Sequence, residues 1–342
     1  MRNFAKWSGL CLTAALLGAG TAAAPTTTAR AEDGLRLEWV FQGQFAGFIV
    51  AADKGYYEAE GVDIELHPAG PDLKPASTVA TGSDTFGIGH PNQVIAARSN
   101  EVPLVMVLQF GQKSATTYIS RKEKGIERVQ DMPGHSVGLW FGGDEHEFLA
   151  MLDAAGVDRS KVEVISQGFE IVNWLRDEYD VMQVTRYNEL NLVHYEGIGD
   201  DQLNYLDPED YGVALISGGV FATEKTVAER PEVVQGFVNA TMQGWKDAIE
   251  DPKAAAEIVL KYNSELDLKG QIDQIESMRS LICAGPTLAG KFGYSEREDW
   301  EVSQKVLIEA KLIDSGVDLD KAYTNAFVEA APDDLKKVSC PQ

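Results

Sequence analysis

From Leu35 onward, apolar and polar positions along the chain follow two alternating periods. Residues 35–40, Leu-Arg-Leu-Glu-Trp-Val, have the two-residue period of a strand with one buried face, and after the turn at Gly43 residues 45–60 take helical spacing. Residues 62–66 return to strand period. This completes a β-α-β unit and predicts a parallel sheet covered by helices. The same rhythm predicts strands over residues 85–89, 104–109, 118–120, 136–139, 161–166 and 180–185, with a helix over 91–100, and it persists to about residue 218. Beyond it, residues 227–250, 252–262, 268–283, 296–310 and 319–326 read as helices. Pro231 and Pro252 stand near helix starts, where a missing amide donor does no harm.

Ahead of this pattern, Met1, Arg2 and Lys6 lead into an apolar run over residues 10–23, followed by the small-residue sites Ala22-Ala23-Ala24 and Ala29-Arg30-Ala31. Residues 1–31 therefore read as a secretory signal peptide. Gly18, Gly20 and Thr21 interrupt the run, which is shorter than the roughly 20 apolar residues a bilayer span needs. Cys11 follows Gly9-Leu10, whereas a lipid-attachment site places a small residue directly before its cysteine, so a soluble periplasmic protein is expected. About 310 residues remain, enough for two domains. The expected division is a first lobe over 32–119, a second over 120–215, and a return to the first over 216–342, mainly helical.

Charge narrows the partners. The chain has 30 Lys and Arg against 53 Asp and Glu, a net charge of -23, and removal of Arg2, Lys6 and Arg30 with the leader makes it about -26. Nucleic acid and anionic membranes both require clustered cations, so neither is an expected partner. Cys283 and Cys340 survive the leader. In an oxidising compartment they could form a disulfide, but spacing alone does not bring them within reach. No Gly-x-Ser-x-Gly elbow, His-Glu-x-x-His pair or phosphate-binding glycine loop is present. Asp144-Glu145-His146-Glu147 points around a helix circumference instead of converging, so it reads as a solvated helix start and not a metal site.

Residues 38–57, EWVFQGQFAGFIVAADKGYY, lead into Glu60-Gly61-Val62-Asp63-Ile64. Together with Asp84-Thr85-Phe86-Gly87-Ile88-Gly89, Asp131-Met132-Pro133-Gly134 and the run from Asp180 to Glu189, this series resembles one family. That family contains the substrate-binding components for thiamine-pyrimidine precursors and the fungal pyrimidine synthases. The resemblance implies an α/β, two-lobed periplasmic-binding fold of type II. Its features would be doubly wound sheets, a hinge between lobes that clasp a ligand, and C-terminal helices packed on the first lobe.

Ligands of open α/β sheets lie beyond the carboxyl ends of the strands, and the distinctive residues fall there. Trp39, expected to end the first strand, offers a stacking face. Gln42, Gln44 and Phe45 follow it. His90 and Asn92 follow a later strand, although His90 also suits a helix cap. In the second lobe Trp140 precedes Gly142 and Gly143, whose backbone amides could approach a ligand, while Trp174 reads as a packing residue. Thr185, Tyr187, Asn188 and Glu189 close the set, and the resemblance implies that Glu189 accepts hydrogen bonds from an aminopyrimidine. These loops hold aromatic, amide and acidic groups but few cations, Arg186 excepted. A neutral heteroaromatic ring suits that inventory better than an anion.

The expected protein is thus a monomeric solute-binding component that needs no cofactor, performs no catalysis, and delivers its cargo to an ABC permease and its ATPase. A binding protein for an organic anion such as a sulfonate, taurine, nitrate or an aromatic acid is the alternative, because sister families share the same turns. A self-consuming synthase is the enzymatic one, disfavoured by the leader and the lack of clustered cysteines.

Overall fold

The computed structural model describes residues 33–70, 73–141, 145–168 and 170–341. The leader expected over 1–31 lies outside the described residues, as do Gly142 and Gly143. Ten strands are found among the described residues: β1 (Asp33–Arg36), β2 (Ile64–His67), β3 (Phe86–Gly89), β4 (Leu104–Gln109), β5 (Thr116–Arg121), β6 (Ser136–Leu139), β7 (Glu163–Ser166), β8 (Val181–Thr185), β9 (Leu203–Leu206) and β10 (Gly219–Thr223). They form two five-stranded sheets, ordered β2-β1-β3-β10-β4 and β7-β6-β8-β5-β9. The helices used below are α1 (Ala46–Asp53), α2 (Pro91–Ser99), α3 (His146–Ala154), α4 (Glu189–Tyr195), α5 (Pro231–Glu250), α6 (Pro252–Tyr262), α7 (Leu268–Ile282) and α8 (Arg297–Glu309).

The two-lobed α/β architecture is present, but the sheets are mixed and not purely parallel. β1, β2 and β3 pair in parallel, as do β6, β7 and β8, while β10 runs antiparallel to β3 and β4, and β5 antiparallel to β8 and β9. The reason lies in the route of the chain. Parallel strands of each sheet deliver their carboxyl ends toward the space between the sheets, and a strand that arrives from the opposite sheet enters at that end. It must therefore run the other way. β5 is the first strand after one crossing and β10 the first after the other.

Several expected elements differ. β1 ends at Arg36, so Trp39 lies three residues beyond it. The helix expected over 45–60 breaks at Gly55, whose φ of +70° stops α1 and starts a separate turn at Tyr56–Ala59. The helix expected over 227–250 divides at Arg230, with α5 starting at Pro231. Residues 319–326 are not one helix but a single turn, Leu319–Lys321, followed by Ala326–Ala330.

The first lobe is built on a buried aromatic column. The Phe237 ring stacks on Phe86 at 4.0 Å and on Tyr57 at 5.5 Å, while Trp245 stacks on Phe110 at 5.2 Å and meets Phe48 edge-on at 5.8 Å. Close helix packing makes this column possible. A Cβ on Gly244 would lie 2.0 Å from the Gly47 carbonyl, and one on Gly47 would lie 2.2 Å from the Trp245 ring, so α1 and α5 touch through glycine. In the second lobe Trp174 is fully buried, as expected, with the Arg121 guanidinium 5.1 Å from its ring. α8 reaches both lobes. Trp300 and Leu307 pack with β4 and α2 of the first, while Val306 packs in the core of the second. Cys283, just after α7, is disulfide-bonded to Cys340 with a Cα–Cα distance of 5.5 Å, which ties the C-terminal tail to the helical layer. Among the described residues no helix is long and apolar enough to cross a membrane.

Candidate ligand-binding site

Two segments carry the chain between the sheets, one joining β4 to β5 and one leading into β10. They are laced together. Gly111 N donates to Gly218 O at 2.8 Å, Ser217 N to Lys113 O at 3.1 Å, and Ala115 N to Ser217 Oγ at 3.0 Å. The buried Gln109 amide donates to the carbonyls of Gly111 at 2.8 Å and Ser217 at 3.0 Å. Glycine is required at both close approaches. A Cβ on Gly111 would fall 2.1 Å from Ser217 O, and Gly218 has a φ of +77°. From the second lobe Glu147, 4% exposed, accepts from Leu215 N at 2.7 Å and from Ser114 Oγ at 3.4 Å, and so holds both segments to α3. The solvated role expected for the Asp144–Glu147 stretch thus fails at Glu147, whose carboxylate is buried against the crossings.

A small cleft lies against these crossings. Glu38 and Gln44, from the loop after β1, contribute to its wall, with Phe45 from the start of α1 and His90 from the end of β3. The first crossing contributes Phe110, Gly111, Lys113 and Ala115, and the second contributes Ser217 and Gly218. Tyr187 reaches it from the loop after β8, and Met278 and Leu281 from α7. Aromatic and aliphatic faces therefore enclose a small group of polar atoms. His90 Nδ1 accepts from Gly218 N at 3.0 Å, which places the ring proton on Nε2, 3.3 Å from Glu38 Oε1. Gln42 donates its amide to Gln44 Oε1, leaving the Gln44 amide nitrogen free to donate elsewhere.

Of the residues expected at the site, the structure brings Gln44, Phe45, His90 and Tyr187 into one wall. Gln42 stands behind Gln44. Trp39 is half-buried against the first-lobe core, and Trp140 is half-buried at the end of β6, its indole donating to Gly168 O at 3.0 Å; neither is on the wall. Asn92 is buried in the first turn of α2, with its Oδ1 unpartnered among the described residues. Glu189, 6% exposed, accepts from Thr185 N at 2.9 Å, Thr185 Oγ1 at 2.6 Å and Asn188 Nδ2 at 2.7 Å, so its carboxylate is engaged within its own turn. Arg186 is ion-paired with Asp207.

Asn188 instead bridges the lobes. Its Oδ1 accepts from Gln274 Nε2 on α7 at 3.2 Å, one turn on Asn191 Nδ2 donates to Ser277 Oγ at 3.4 Å, and Tyr195 donates to Asp273 with the Lys269 ammonium 4.3 Å from its ring. Burial and the Asp273 carboxylate push the Tyr195 phenol above its usual range. Helix α4 thus meets α7 beside the cavity mouth, next to Tyr187 and Met278.

A cavity between two α/β sheets joined by two laced crossings defines a two-lobed binding protein. The chain belongs to the NMT1/THI5 like family, whose model matches residues 42–255. It is 26% identical over 302 residues to the riboflavin-binding protein RibY of Chloroflexus aurantiacus, covering 86% of this chain and 85% of that one. It is 27% identical over 292 residues to the formylaminopyrimidine-binding protein of Halalkalibacterium halodurans, covering 82% and 87%. A 4-amino-5-hydroxymethyl-2-methylpyrimidine phosphate synthase of Legionella pneumophila is 26% identical over 316 residues, covering 90% and 95%. Among solved structures, the periplasmic aliphatic sulphonate binding protein SsuA of Escherichia coli shares the fold with a TM-score of 0.65 at 16% identity, over 85% of this chain and 92% of that chain.

Proposed function

We propose that this protein is the periplasmic solute-binding component of an ABC importer and that its cargo is a small heteroaromatic ring. The observation that carries the reading is the wall itself: Phe45, Phe110 and Tyr187 offer ring faces, while Gln44, Glu38 and His90 offer donors and acceptors for a ring edge. Relatives named for riboflavin and formylaminopyrimidine support the same cargo class. The lobes, residues 32–119 with 216–342 against 120–215, close about the laced segments near 111–115 and 215–218, and the monomer delivers its cargo to a permease. The synthase named among the relatives is disfavoured, because both cysteines outside the leader are locked in a disulfide and no thiol remains for chemistry.

Isothermal titration calorimetry with riboflavin, formylaminopyrimidine, hydroxymethylpyrimidine, taurine and nitrate tests the proposal. Micromolar or tighter binding of one of the ring compounds, lost in Tyr187→Ala, is the expected result. Binding of taurine or nitrate with none of the rings overturns the cargo class.

A further inference from the structure

We propose that Lys113 and Ser217 form a subsite for an anionic oxygen, so that the enclosed ring carries an acidic substituent such as a phosphate or carboxylate. The inference rests on the ring-binding reading above and departs from the uncharged ligand expected from the sequence. Lys113, an exposed residue at the edge of the cavity, is the one Lys or Arg among its described lining residues. The chain has 53 acidic residues against 30 basic ones, so carboxylates able to pair with it are plentiful. Yet the Lys113 ammonium makes no ion pair or hydrogen bond among the described residues.

Ser217 supplies the second donor. Its Oγ accepts from Ala115 N at 3.0 Å and donates to no group among the described residues, which leaves its proton for a ligand. The backbone bond from Ser217 N to Lys113 O at 3.1 Å sets the two residues side by side, one on each crossing. Two acceptors on the wall are engaged, since His90 Nδ1 accepts from Gly218 and Gln44 Oε1 accepts from Gln42. A cation and a hydroxyl with unspent donors, adjacent and facing one cavity, match a charged oxygen better than a neutral ring nitrogen. Because they lie on separate crossings, an oxygen bound between them also touches both strands of the hinge.

Matched pairs that differ only in charge provide the test: riboflavin with riboflavin 5'-phosphate, and hydroxymethylpyrimidine with its monophosphate, titrated calorimetrically into wild type, Lys113→Met, Lys113→Arg and Ser217→Ala at two ionic strengths. In at least one pair the phosphorylated member should bind about tenfold or more tightly to wild type, as expected for a charge-assisted hydrogen bond. That preference should fall to near unity in Lys113→Met, persist in Lys113→Arg, weaken in Ser217→Ala and shrink with salt. Unchanged melting temperatures exclude misfolding of the variants. A neutral member that binds wild type as tightly as its phosphate, or an equal loss of both members in Lys113→Met, overturns the subsite while leaving the ring reading intact. If only ring-free anions bind, and Lys113→Met abolishes that binding, the subsite stands and the ring reading falls. No binding by any of these probes overturns both.

Discussion

Glu189, which the family resemblance implies as an acceptor for an aminopyrimidine, also holds its own turn together: Thr185 and Asn188 donate to both its oxygens in a buried turn. Glu189→Gln would turn one of those acceptors into a donor facing a donor. It should therefore cost about 1.5–3 kcal/mol of stability, read as a lower urea midpoint with unchanged m-value. A wild-type midpoint would show that the turn does not depend on the carboxylate. A second test concerns pH. His67 Nδ1 lies 2.5 Å from Asp84 and Nε2 2.9 Å from Glu65, while Arg36 donates to Asp84 at 2.9 Å. Burial pulls His67 down, but the two carboxylates outweigh it and raise its pKa. Burial likewise opposes ionisation of Asp84, yet Arg36, Thr78 and His67 hold it below the usual carboxylate range. The His67 contribution is therefore complete below its unfolded value of about 6.5 and is lost as pH rises through the raised folded value. That of Asp84 is present above about 3.9 and is lost in stronger acid. Urea midpoints between pH 6 and 9 should decline in wild type more steeply than in His67→Gln, and parallel curves would remove His67 from the network.

Elements bounded by clear punctuation were legible in the sequence. α6 begins at Pro252 and follows an Asp251 side chain that accepts from Ala254 N at 3.0 Å, and β4 opens after Pro103 with an unbroken apolar run, residues 104–108. β9 and β10 were not legible. Val220, Phe221 and Ala222 in β10 are all buried, so no alternation marks the strand, and its pairing partners β3 and β4 lie more than a hundred residues earlier. The site divides the same way. Gln44, Phe45, His90 and Tyr187 follow strands and could be found by that rule, whereas Lys113 and Ser217 sit on crossings, and Met278 and Leu281 arrive on a helix whose face is set only by tertiary packing. The contact between α1 and α5 yields a prediction about such packing. A methyl at Gly244 would meet backbone at 2.0 Å, and backbone cannot swing aside as a flexible side chain does. Gly244→Ala should lower stability by roughly 1–3 kcal/mol or more by separating the helices, although alanine favours a helix by up to ~1 kcal/mol. A calorimetric melting temperature at or above wild type would refute the contact.

Among the described residues, the lobes meet at the laced crossings, at α8, which packs against both, and where α4 meets α7 beside the cavity. The last contact runs through the side chains of Asn188, Asn191 and Tyr195, and none of these three lines the cavity. A rim contact that forms when the lobes are together adds free energy to the closed form alone. It therefore raises apparent ligand affinity by shifting the closed population, without touching the ligand. Tyr195→Phe removes the donor to Asp273, and Asn191→Ala removes the donor to Ser277. At about 0.5–1.5 kcal/mol for each net hydrogen bond, the double variant should bind cargo several-fold to about a hundredfold more weakly. Most of that loss should lie in a faster off-rate, because the latch holds the closed state after capture. Small-angle scattering should show the ligand-free double variant with a larger radius of gyration than wild type, and saturating ligand should restore it. The thermal unfolding of the separate lobe cores should change little, since α4 and α7 remain packed on their own lobes through Val193 and through Ile275 and Leu281. Equal affinity, equal off-rate and equal radius in the double variant would mean that the rim contacts contribute nothing to closure, leaving the hinge and the cavity wall to determine it.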